Sequence, residues 1–226
     1  DKMKIRNLLF VLLAVVLLAG PGLVAQGKEE VEKPIAAVAQ EAADDLSGPV
    51  LGELAPLFTL NDLDGQPVAL EAFRGKYVVL EWTNYECPFV VKHYSSGNMQ
   101  ALQQKNMAEG VVWLVINSSA PGKQGYFEPA KWKELAAERK SMPTGILLDG
   151  DGKVGRLYMA KTTPEMFVID PNGVLLYMGA IDDKPTRDLK DIETAVNYVQ
   201  QALDEAKAGK PVSVPISKSY GCSVKY

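Results

Sequence analysis

The segment "YVVLEWTNYECPFVVKHY", residues Tyr77–Tyr94, changes its pattern at a cysteine. Residues 77–82 form a short apolar run rich in β-branched side chains, which predicts a strand covered on both faces. After Cys87 the apolar residues recur at helical spacing, and Pro88 is favoured at the first position of a helix. The segment therefore predicts a strand, a four-residue loop, and a helix with Cys87 at its N-cap.

This position indicates a reactive thiol. The free amides and the dipole of a helix N-terminus stabilise an anion, and the thiolate is the reactive form of cysteine. Helical geometry places Val90 and Val91 on the side of the helix that carries Cys87, and it turns Lys92 and His93 away. The sulfur is therefore expected to face an apolar floor rather than a cation.

Burial over such a floor raises the pKa of a thiol and opposes the helix dipole. We expect the thiolate to be favoured if Thr83, Asn84 or the loop amides add hydrogen bonds to the sulfur. The alternative is an inert buried thiol, because cysteine is among the most frequently buried residues. His93 is predicted to be a surface residue rather than a base.

The rest of the chain alternates between strand and helix patterns. Turn signals and apolar runs predict a hairpin at residues 61–70, a buried strand at 111–117, a helix at 127–140 and a second hairpin at 162–181. A last helix is predicted to start at a Thr186 cap and to end at Gly209. This order predicts an α/β fold, a mixed central sheet with helices on both faces.

The N-terminal residues 1–25 have the composition of a signal peptide. Basic residues precede a short apolar stretch and a small-residue exit, which predicts cleavage after Ala25. The alternative is an uncleaved segment that acts as a membrane tether. Both interpretations place the remainder in an extracytoplasmic space, either periplasmic or secreted.

Charge and composition limit the possible partners and the number of domains. Residues 1–25 carry three basic and one acidic side chain, so their removal changes the net charge from −4 to −6. This balance argues against a nucleic-acid partner. Residues 26–50 are rich in Ala, Glu and Asp and predict a flexible linker, while the chain from residue 51 is long enough for one domain with a full core.

The chain has two cysteines and one histidine. Two cysteines are too few for a disulfide scaffold, and the 135 positions between Cys87 and Cys222 exclude a local metal knuckle. With a single histidine, no zinc or haem site of ordinary spacing is expected. We therefore predict thiol chemistry without a metal or other cofactor.

Two motifs carry a family resemblance. "LAPLFTLNDLDGQPVALEAFRGKYVVLEWTNYECPF" (residues 54–89) and "KTTPEMFVIDPNG" (residues 161–173) resemble the redoxin group, the AhpC/TSA and peroxiredoxin-like proteins of the thioredoxin-fold superfamily. The resemblance implies a thioredoxin-like fold over residues 51–209, with an N-terminal hairpin extension. It also implies that Cys87 is the attacking thiol and that Pro164, in cis after Thr163, faces it. The alternative is an ordinary trans proline.

The chain also departs from its relatives. Thioredoxins have a second cysteine where this chain has Val90, so no disulfide can close within the motif. Peroxiredoxins have a proline and a threonine where this chain has Leu80 and Asn84, with Thr83 one place off. Their site arginine lacks a clear match, although Arg156 is a candidate. These differences leave the peroxide pocket of the family in question.

Residues 210–226 are predicted to form an extended arm that carries Cys222. The ending "SYGCSVKY" resembles that of an exported, peroxiredoxin-like subgroup. If the arm reaches the site, Cys222 could resolve a sulfenic acid or a mixed disulfide at Cys87. The alternatives are a static Cys87–Cys222 bridge, which would contribute roughly 4–5 kcal/mol of stability by chain entropy, and a free or intermolecular tail thiol.

The sequence as a whole predicts an exported thiol-dependent redox protein. In the leading hypothesis the Cys87 thiolate reduces a peroxide, Cys222 resolves the product, and an external thioredoxin-like thiol donor reduces the disulfide. The alternatives are a thiol-disulfide oxidoreductase that acts on protein disulfides and a non-catalytic binding module with bridged cysteines. The predicted substrate-positioning residues are Thr83, Asn84, Pro88, Thr163, Pro164 and Arg156.

Overall fold

The computed structural model describes residues 48–226, so the predicted signal peptide and nearly all of the predicted linker lie outside the described residues. The strands are β1 (Thr59–Asp62), β2 (Pro67–Ala69), β3 (Val78–Trp82), β4 (Val112–Asn117), β5 (Gly145–Leu148), β6 (Thr162–Thr163), β7 (Glu165–Ile169), β8 (Leu175–Gly179) and β9 (Cys222–Ser223). The helices are α1 (Pro88–Ser95), α2 (Asn98–Ala108), α3 (Pro129–Glu138), α4 (Lys153–Leu157) and α5 (Tyr198–Lys207). Two 3₁₀ turns cover Leu70–Phe73 and Leu189–Thr194.

Seven strands form one mixed sheet in the order β2-β1-β5-β4-β3-β7-β8. The central strand β3 pairs in parallel with β4 and antiparallel with β7. The β1–β2 hairpin adds to one edge through an antiparallel pairing with β5. This arrangement is a thioredoxin-like fold with an N-terminal hairpin extension, which confirms the predicted fold class.

The sheet separates two apolar cores. Helices α1, α2, α3 and α5 contribute to one core, and α4 contributes to the other together with the chain around Phe58. All five residues of β3 are buried, as the apolar run predicts. Its side chains alternate between the cores, with Val79 in the first and Leu80 in the second. Because β3 is held on both faces and both edges, the loop that follows it starts from a fixed point.

The two helices after β3 are separated by a glycine. Helix α1 ends at Ser95 and α2 begins at Asn98, which confirms the predicted restart near Asn98. Gly97 between them has φ of 77°, a left-handed conformation that glycine adopts without a steric penalty. The break changes the direction of the chain while leaving α1 attached to β3.

The predicted last helix is wrong in its first half. Residues Leu189–Thr194 form a 3₁₀ turn capped by Asp188, and α5 starts only at Tyr198, capped by Asn197. The chain between them is drawn into tertiary hydrogen bonds. The amide of Val196 donates to the Asp183 carboxylate at 2.9 Å, and the amide of Tyr198 donates to the Ile181 carbonyl at 3.0 Å. These bonds replace those that a continuous helix would make.

Candidate active site

Cys87 is the N-cap residue of α1 and Pro88 is its first residue, as the sequence predicts. The loop from β3 is closed by the Cys87 amide, which donates to the Asn84 carbonyl at 2.9 Å. The Cys87 carbonyl accepts the first helical hydrogen bond, from the amide of Val91, at 2.8 Å. Cys87 is 0 % exposed and packs in the core formed by α1, α2, α3 and α5. The thiol is therefore held at a helix N-terminus and closed off from bulk water.

A second loop meets the sulfur from the opposite side. The peptide bond between Thr163 and Pro164 is cis, as the family resemblance implies. The carbonyl oxygen of Thr163 accepts a hydrogen bond from the Cys87 thiol, with an Sγ to O distance of 3.0 Å. Thr163 is buried, and its hydroxyl oxygen makes no hydrogen bond in the structure. One unpaired hydroxyl thus lies in the residue that contacts the sulfur.

The C-terminal arm brings the second cysteine to the same loop. Strand β9 pairs antiparallel with β6, and this register places Cys222 opposite Thr163. The amide of Val224 extends the pairing by donating to the Lys161 carbonyl at 3.0 Å. The Cys222 side chain lies close enough to Cys87 for each thiol to affect the ionisation of the other, and both thiols are free. The two cysteines of the chain therefore lie next to each other at the cis-proline loop.

Gly221 permits this approach. A Cβ atom at this position would lie 2.0 Å from the carbonyl oxygen of Thr163, and Gly221 has φ of 133°, a backbone conformation that other residues rarely adopt. The arm can reach β6 at this distance only because residue 221 has no side chain. Gly221, directly before β9, is thus required by the contact that positions Cys222.

The two thiols differ in acidity. Burial raises the pKa of Cys87, but the nearby side chains of Thr163 and Cys222 and the amides of Val90 and Cys222 favour the thiolate and outweigh it, so the net pKa lies below the ordinary value. Burial, together with the hydrogen bond to Cys87 and its charge, raises the pKa of Cys222 to about 11. Cys87 therefore ionises first, and Cys222 remains protonated as a donor to the Cys87 thiolate.

Two predicted positioning residues lie in the loop before Cys87 but do not hydrogen bond to its sulfur. The Asn84 side chain accepts from the Glu86 amide at 2.9 Å and donates to the Gln124 carbonyl at 3.3 Å. The Thr83 hydroxyl is buried without a hydrogen-bond partner. Asn84 thus joins two loops, so our expectation that it adds a hydrogen bond to the sulfur is not met.

Arg156 does not reach the sulfur either. It lies on α4, which packs against the other face of the sheet, and its side chain is exposed. Its guanidinium donates to the Asp151 carbonyl at 2.8 Å and lies 4.6 Å from the ring centre of Tyr226. The structure thus places the guanidinium against Tyr226, and the role of Arg156 in positioning a substrate oxygen stays a prediction.

His93 is buried rather than on the surface, which corrects the sequence prediction. Its ring is 0 % exposed, and burial, aided by the charge of Lys92, lowers its pKa to about 3. Helical geometry correctly turns it away from Cys87, but the C-terminal arm covers the face on which it lies. Its neighbours there are Tyr220 and Asp182. Sequence reasoning missed this cluster, because its members come from three distant parts of the chain.

A second buried polar group, Glu81, lies in the middle of β3. Its carboxylate accepts hydrogen bonds from the Trp113 indole at 2.8 Å, the Tyr94 hydroxyl at 3.0 Å and the Gln103 amide at 3.3 Å. Complete burial raises the pKa of Glu81 to about 7, although these donors oppose the shift. The sequence pattern indicated an apolar strand here and gave Glu81 no role.

Comparison with known proteins agrees with a thiol-based site. The sequence profile of the AhpC/TSA family matches residues 51–178, which include β3, Cys87 and the cis-proline loop. The chain belongs to this family. Within it, the thiol-disulfide oxidoreductase ResA of Geobacillus thermodenitrificans is 31 % identical over 124 residues. That match spans 54 % of this chain and 65 % of ResA, less than two thirds of its length.

Two solved structures extend the similarity of this AhpC/TSA protein over a longer part of the chain. An uncharacterized conserved protein from Geobacillus kaustophilus has a TM-score of 0.67 and 28 % identity, covering 78 % of this chain and 92 % of that one. A hypothetical protein from Sinorhizobium meliloti has a TM-score of 0.64 and 25 % identity, covering 78 % and 94 %. Both are similar to this chain in fold, and neither is described with an activity.

Among residues 48–226, no three or more His, Cys, Asp or Glu side chains are grouped so that they could hold a metal ion. No helix within this range is long and apolar enough to cross a bilayer. The pair of thiols at the cis-proline loop is the candidate site, because the Thr163 carbonyl contacts the Cys87 thiol and Thr163 pairs with Cys222.

Proposed function

We propose that this AhpC/TSA-family domain catalyses thiol-disulfide exchange, with Cys87 as the nucleophile and Cys222 as the second thiol. The observation that carries the proposal is the position of Thr163, whose carbonyl contacts the Cys87 thiol and whose strand partner is Cys222. The acidity difference between the two thiols supports these roles, because an attacking thiol must ionise more readily than the thiol that follows it. The similarity to a thiol-disulfide oxidoreductase supports the same reaction class.

The exchange proceeds in two displacements. The Cys87 thiolate attacks one sulfur of a substrate disulfide and expels the other as a thiolate, which takes up a proton. Cys222 then attacks the Cys87 sulfur of the mixed disulfide and expels the second substrate thiolate, which receives the proton from Cys222. The substrate leaves with two additional electrons and two protons, and the protein holds a Cys87–Cys222 disulfide. An external dithiol, such as a thioredoxin-like protein, reverses the two displacements and restores the thiols.

Peroxide reduction is a second candidate, favoured by the complete burial of Cys87. A small oxidant can reach such a sulfur more easily than a protein disulfide can. The thiolate would break the peroxide O–O bond, giving a sulfenic acid and, after protonation, water or an alcohol. Cys222 would then form the disulfide and release water. One observation argues against this reaction: Arg156, the candidate for the site arginine of peroxiredoxins, lies on the ring of Tyr226 rather than beside the sulfur.

We further propose that the protein works outside the cytoplasm. The support for this location is the signal-peptide composition of residues 1–25. If that segment stays uncleaved, it tethers the domain to a membrane. The partners are then a disulfide or peroxide substrate and an external thiol reductant within the same compartment.

Single-cysteine variants test the proposal. The unaltered chain, Cys87→Ser and Cys222→Ser are treated with oxidised glutathione or with one equivalent of hydrogen peroxide, and their intact masses are followed with time. Exchange predicts a stable glutathione adduct on Cys87 in Cys222→Ser, and loss of two hydrogens in the unaltered chain. Faster oxygen addition to Cys87 by peroxide would instead assign the second candidate. Equal and slow reaction of the two cysteines would contradict both and favour a non-catalytic domain.

A further inference from the structure

Tyr220 connects the C-terminal arm to a buried carboxylate. Its hydroxyl donates a hydrogen bond to Oδ1 of Asp182, which lies shortly after β8. The same oxygen accepts from the amide of Lys184 at 3.0 Å, so the carboxylate is fixed from its own loop as well. Asp182 is 2 % exposed. A hydrogen bond to a buried, charged acceptor is stronger than one between neutral groups, so this contact restrains the arm.

The hydroxyl of Tyr220 also contacts α1, the helix that has Cys87 at its N-cap. Nε2 of His93 lies 3.4 Å from the Tyr220 oxygen and 3.9 Å from Oδ2 of Asp182. The side-chain amide of Asn98 donates to Nδ1 of His93 at 2.9 Å, which leaves the proton of the neutral ring on Nε2. The Nε2 proton therefore points toward two acceptors, the Tyr220 oxygen and Oδ2 of Asp182, and this Oδ2 atom has no hydrogen-bond partner.

The ring of Tyr220 makes a second contact with α1. It packs edge-on against Phe89, with 5.8 Å between the ring centres. Phe89 is two residues after Cys87, and Tyr220 is two residues before Cys222. The contacts of Tyr220 with Phe89 and His93 therefore hold the segment that carries Cys222 against the helix that carries Cys87.

Other anchors hold the arm further away from Cys222. The amide of Ala180 donates to the Ser217 hydroxyl at 2.9 Å, and the amide of Ser217 donates to the Met178 carbonyl at 3.2 Å. These contacts hold the arm before residue 218, and the β6–β9 pairing holds it from Cys222 onward, so Tyr220 is the side chain that ties the intervening residues 218–221 to α1. Removing the Tyr220 hydroxyl should therefore loosen the approach to Cys222 without releasing the arm.

We propose that Tyr220, held by Asp182 and His93, is a positioning residue that, together with the β6–β9 pairing, keeps Cys222 next to Cys87. The inference rests on the proposed function, in which the two thiols form a disulfide during turnover. Ordering of the arm in the dithiol state raises the effective concentration of Cys222 at the Cys87 sulfur. Tyr220 does not touch the reacting sulfurs, so it acts on the second step and not on the ionisation of Cys87.

The test is the thiol-disulfide equilibrium of the protein in glutathione redox buffers. We expect Tyr220→Phe to lower the equilibrium constant for the Cys87–Cys222 disulfide by about tenfold, the size expected for a hydrogen bond to a charged partner. This change corresponds to about 30 mV for a two-electron couple. Alkylation of Cys87 in a Cys222→Ser background should keep its rate when Tyr220→Phe is added.

Tyr126→Phe is the matched control, because it removes a hydroxyl that donates to Glu128 at 2.9 Å on an exposed surface. Asp182→Asn tests the other end of the bond. Its effect should be less than additive with that of Tyr220→Phe, since both changes weaken one interaction. If Tyr220→Phe does not fold, Asp182→Asn replaces it in both measurements.

Two negative results have different meanings. If the unaltered chain forms no Cys87–Cys222 disulfide at any glutathione ratio, the proposed function fails. If the disulfide forms and Tyr220→Phe leaves its equilibrium constant unchanged, or changes it no more than Tyr126→Phe does, the positioning role of Tyr220 is wrong. An equal loss in the alkylation rate of Cys87 would also contradict it, because the residue would then act on the nucleophile.

Discussion

Cys222 is the strand partner of Thr163, the residue that precedes the cis-proline. Thr163 in turn accepts the hydrogen bond of the Cys87 thiol. Position 90, where thioredoxins have their second cysteine, is the buried Val90 in this chain. The structure thus supplies a second thiol by pairing of distant backbone segments rather than from the next turn of the helix.

The first prediction concerns the acidity of Cys87. We expect its alkylation by iodoacetamide to have a pH midpoint below that of an ordinary cysteine, because the hydrogen bonds to the thiolate outweigh its burial. Cys222→Ala should raise this midpoint, since it removes one of the donors. Mass spectrometry of the alkylated peptide across the titration range of thiols measures both values. A midpoint that does not respond to Cys222→Ala would show that the second thiol does not contact the first.

The second prediction concerns the close approach of the arm. Gly221→Ala should slow formation of the Cys87–Cys222 disulfide by about tenfold or more, because the new Cβ atom would overlap the Thr163 carbonyl and force β9 away. Gly209→Ala is the control, since Gly209 has φ of 70° but a Cβ atom there would meet no other atom within 4 Å. Both variants should lose stability from backbone strain, but only Gly221→Ala should slow the formation of the disulfide. Stopped-flow oxidation with an acid quench gives the two rates.

The third prediction follows from Glu81. Its pKa is about 7 in the folded protein against 4.5 for an ordinary glutamate, so the folded state keeps a proton that the unfolded state releases. The free energy of unfolding should therefore fall as the pH rises from 4.5 to about 7, by up to about 3 kcal/mol. Glu81→Gln should flatten this part of the profile. Urea denaturation at several pH values provides the comparison, and equal slopes for the two proteins would disprove the assignment.

The fourth prediction tests whether Asn84 stabilises the loop before Cys87 or acts on the Cys87 sulfur. Asn84→Ala removes the hydrogen bonds to the Glu86 amide and the Gln124 carbonyl, so it should destabilise the domain by about 1–3 kcal/mol. The pH midpoint of Cys87 alkylation should stay unchanged, because the Asn84 side chain makes no hydrogen bond to the sulfur. Denaturation and alkylation are measured on the same preparation. A raised midpoint would return Asn84 to the substrate-positioning role predicted from sequence.

Local signals in the sequence were sufficient for the centre of the fold. The apolar run of β3 is buried on both faces, and Pro88 begins α1 next to Cys87, because both features depend on residues close in sequence. The cis bond before Pro164 followed from the family resemblance rather than from any spacing. Helical geometry also gave the correct direction for Lys92, whose ammonium donates to the Lys184 carbonyl instead of approaching the sulfur.

Where the prediction failed, contacts between distant segments had decided the outcome. His93 is buried because an arm that begins more than a hundred residues later covers it, and no helical pattern contains that information. The last helix starts late because Val196 and Tyr198 are bound to the loop after β8. The contact between Arg156 and Tyr226 likewise has no signal in the sequence, because it requires residue 226 to return to α4.

The separation of the two thiols along the chain affects the order in which the protein is made. Cys87 leaves the ribosome 135 residues before Cys222, so a growing polypeptide holds the first thiol without the second. Until β9 docks, that thiolate can attack an unrelated disulfide and remain in a mixed disulfide, because the thiol that would resolve it is not yet in place. The pair of thiols is thus complete only after residues 222–223 have paired with β6.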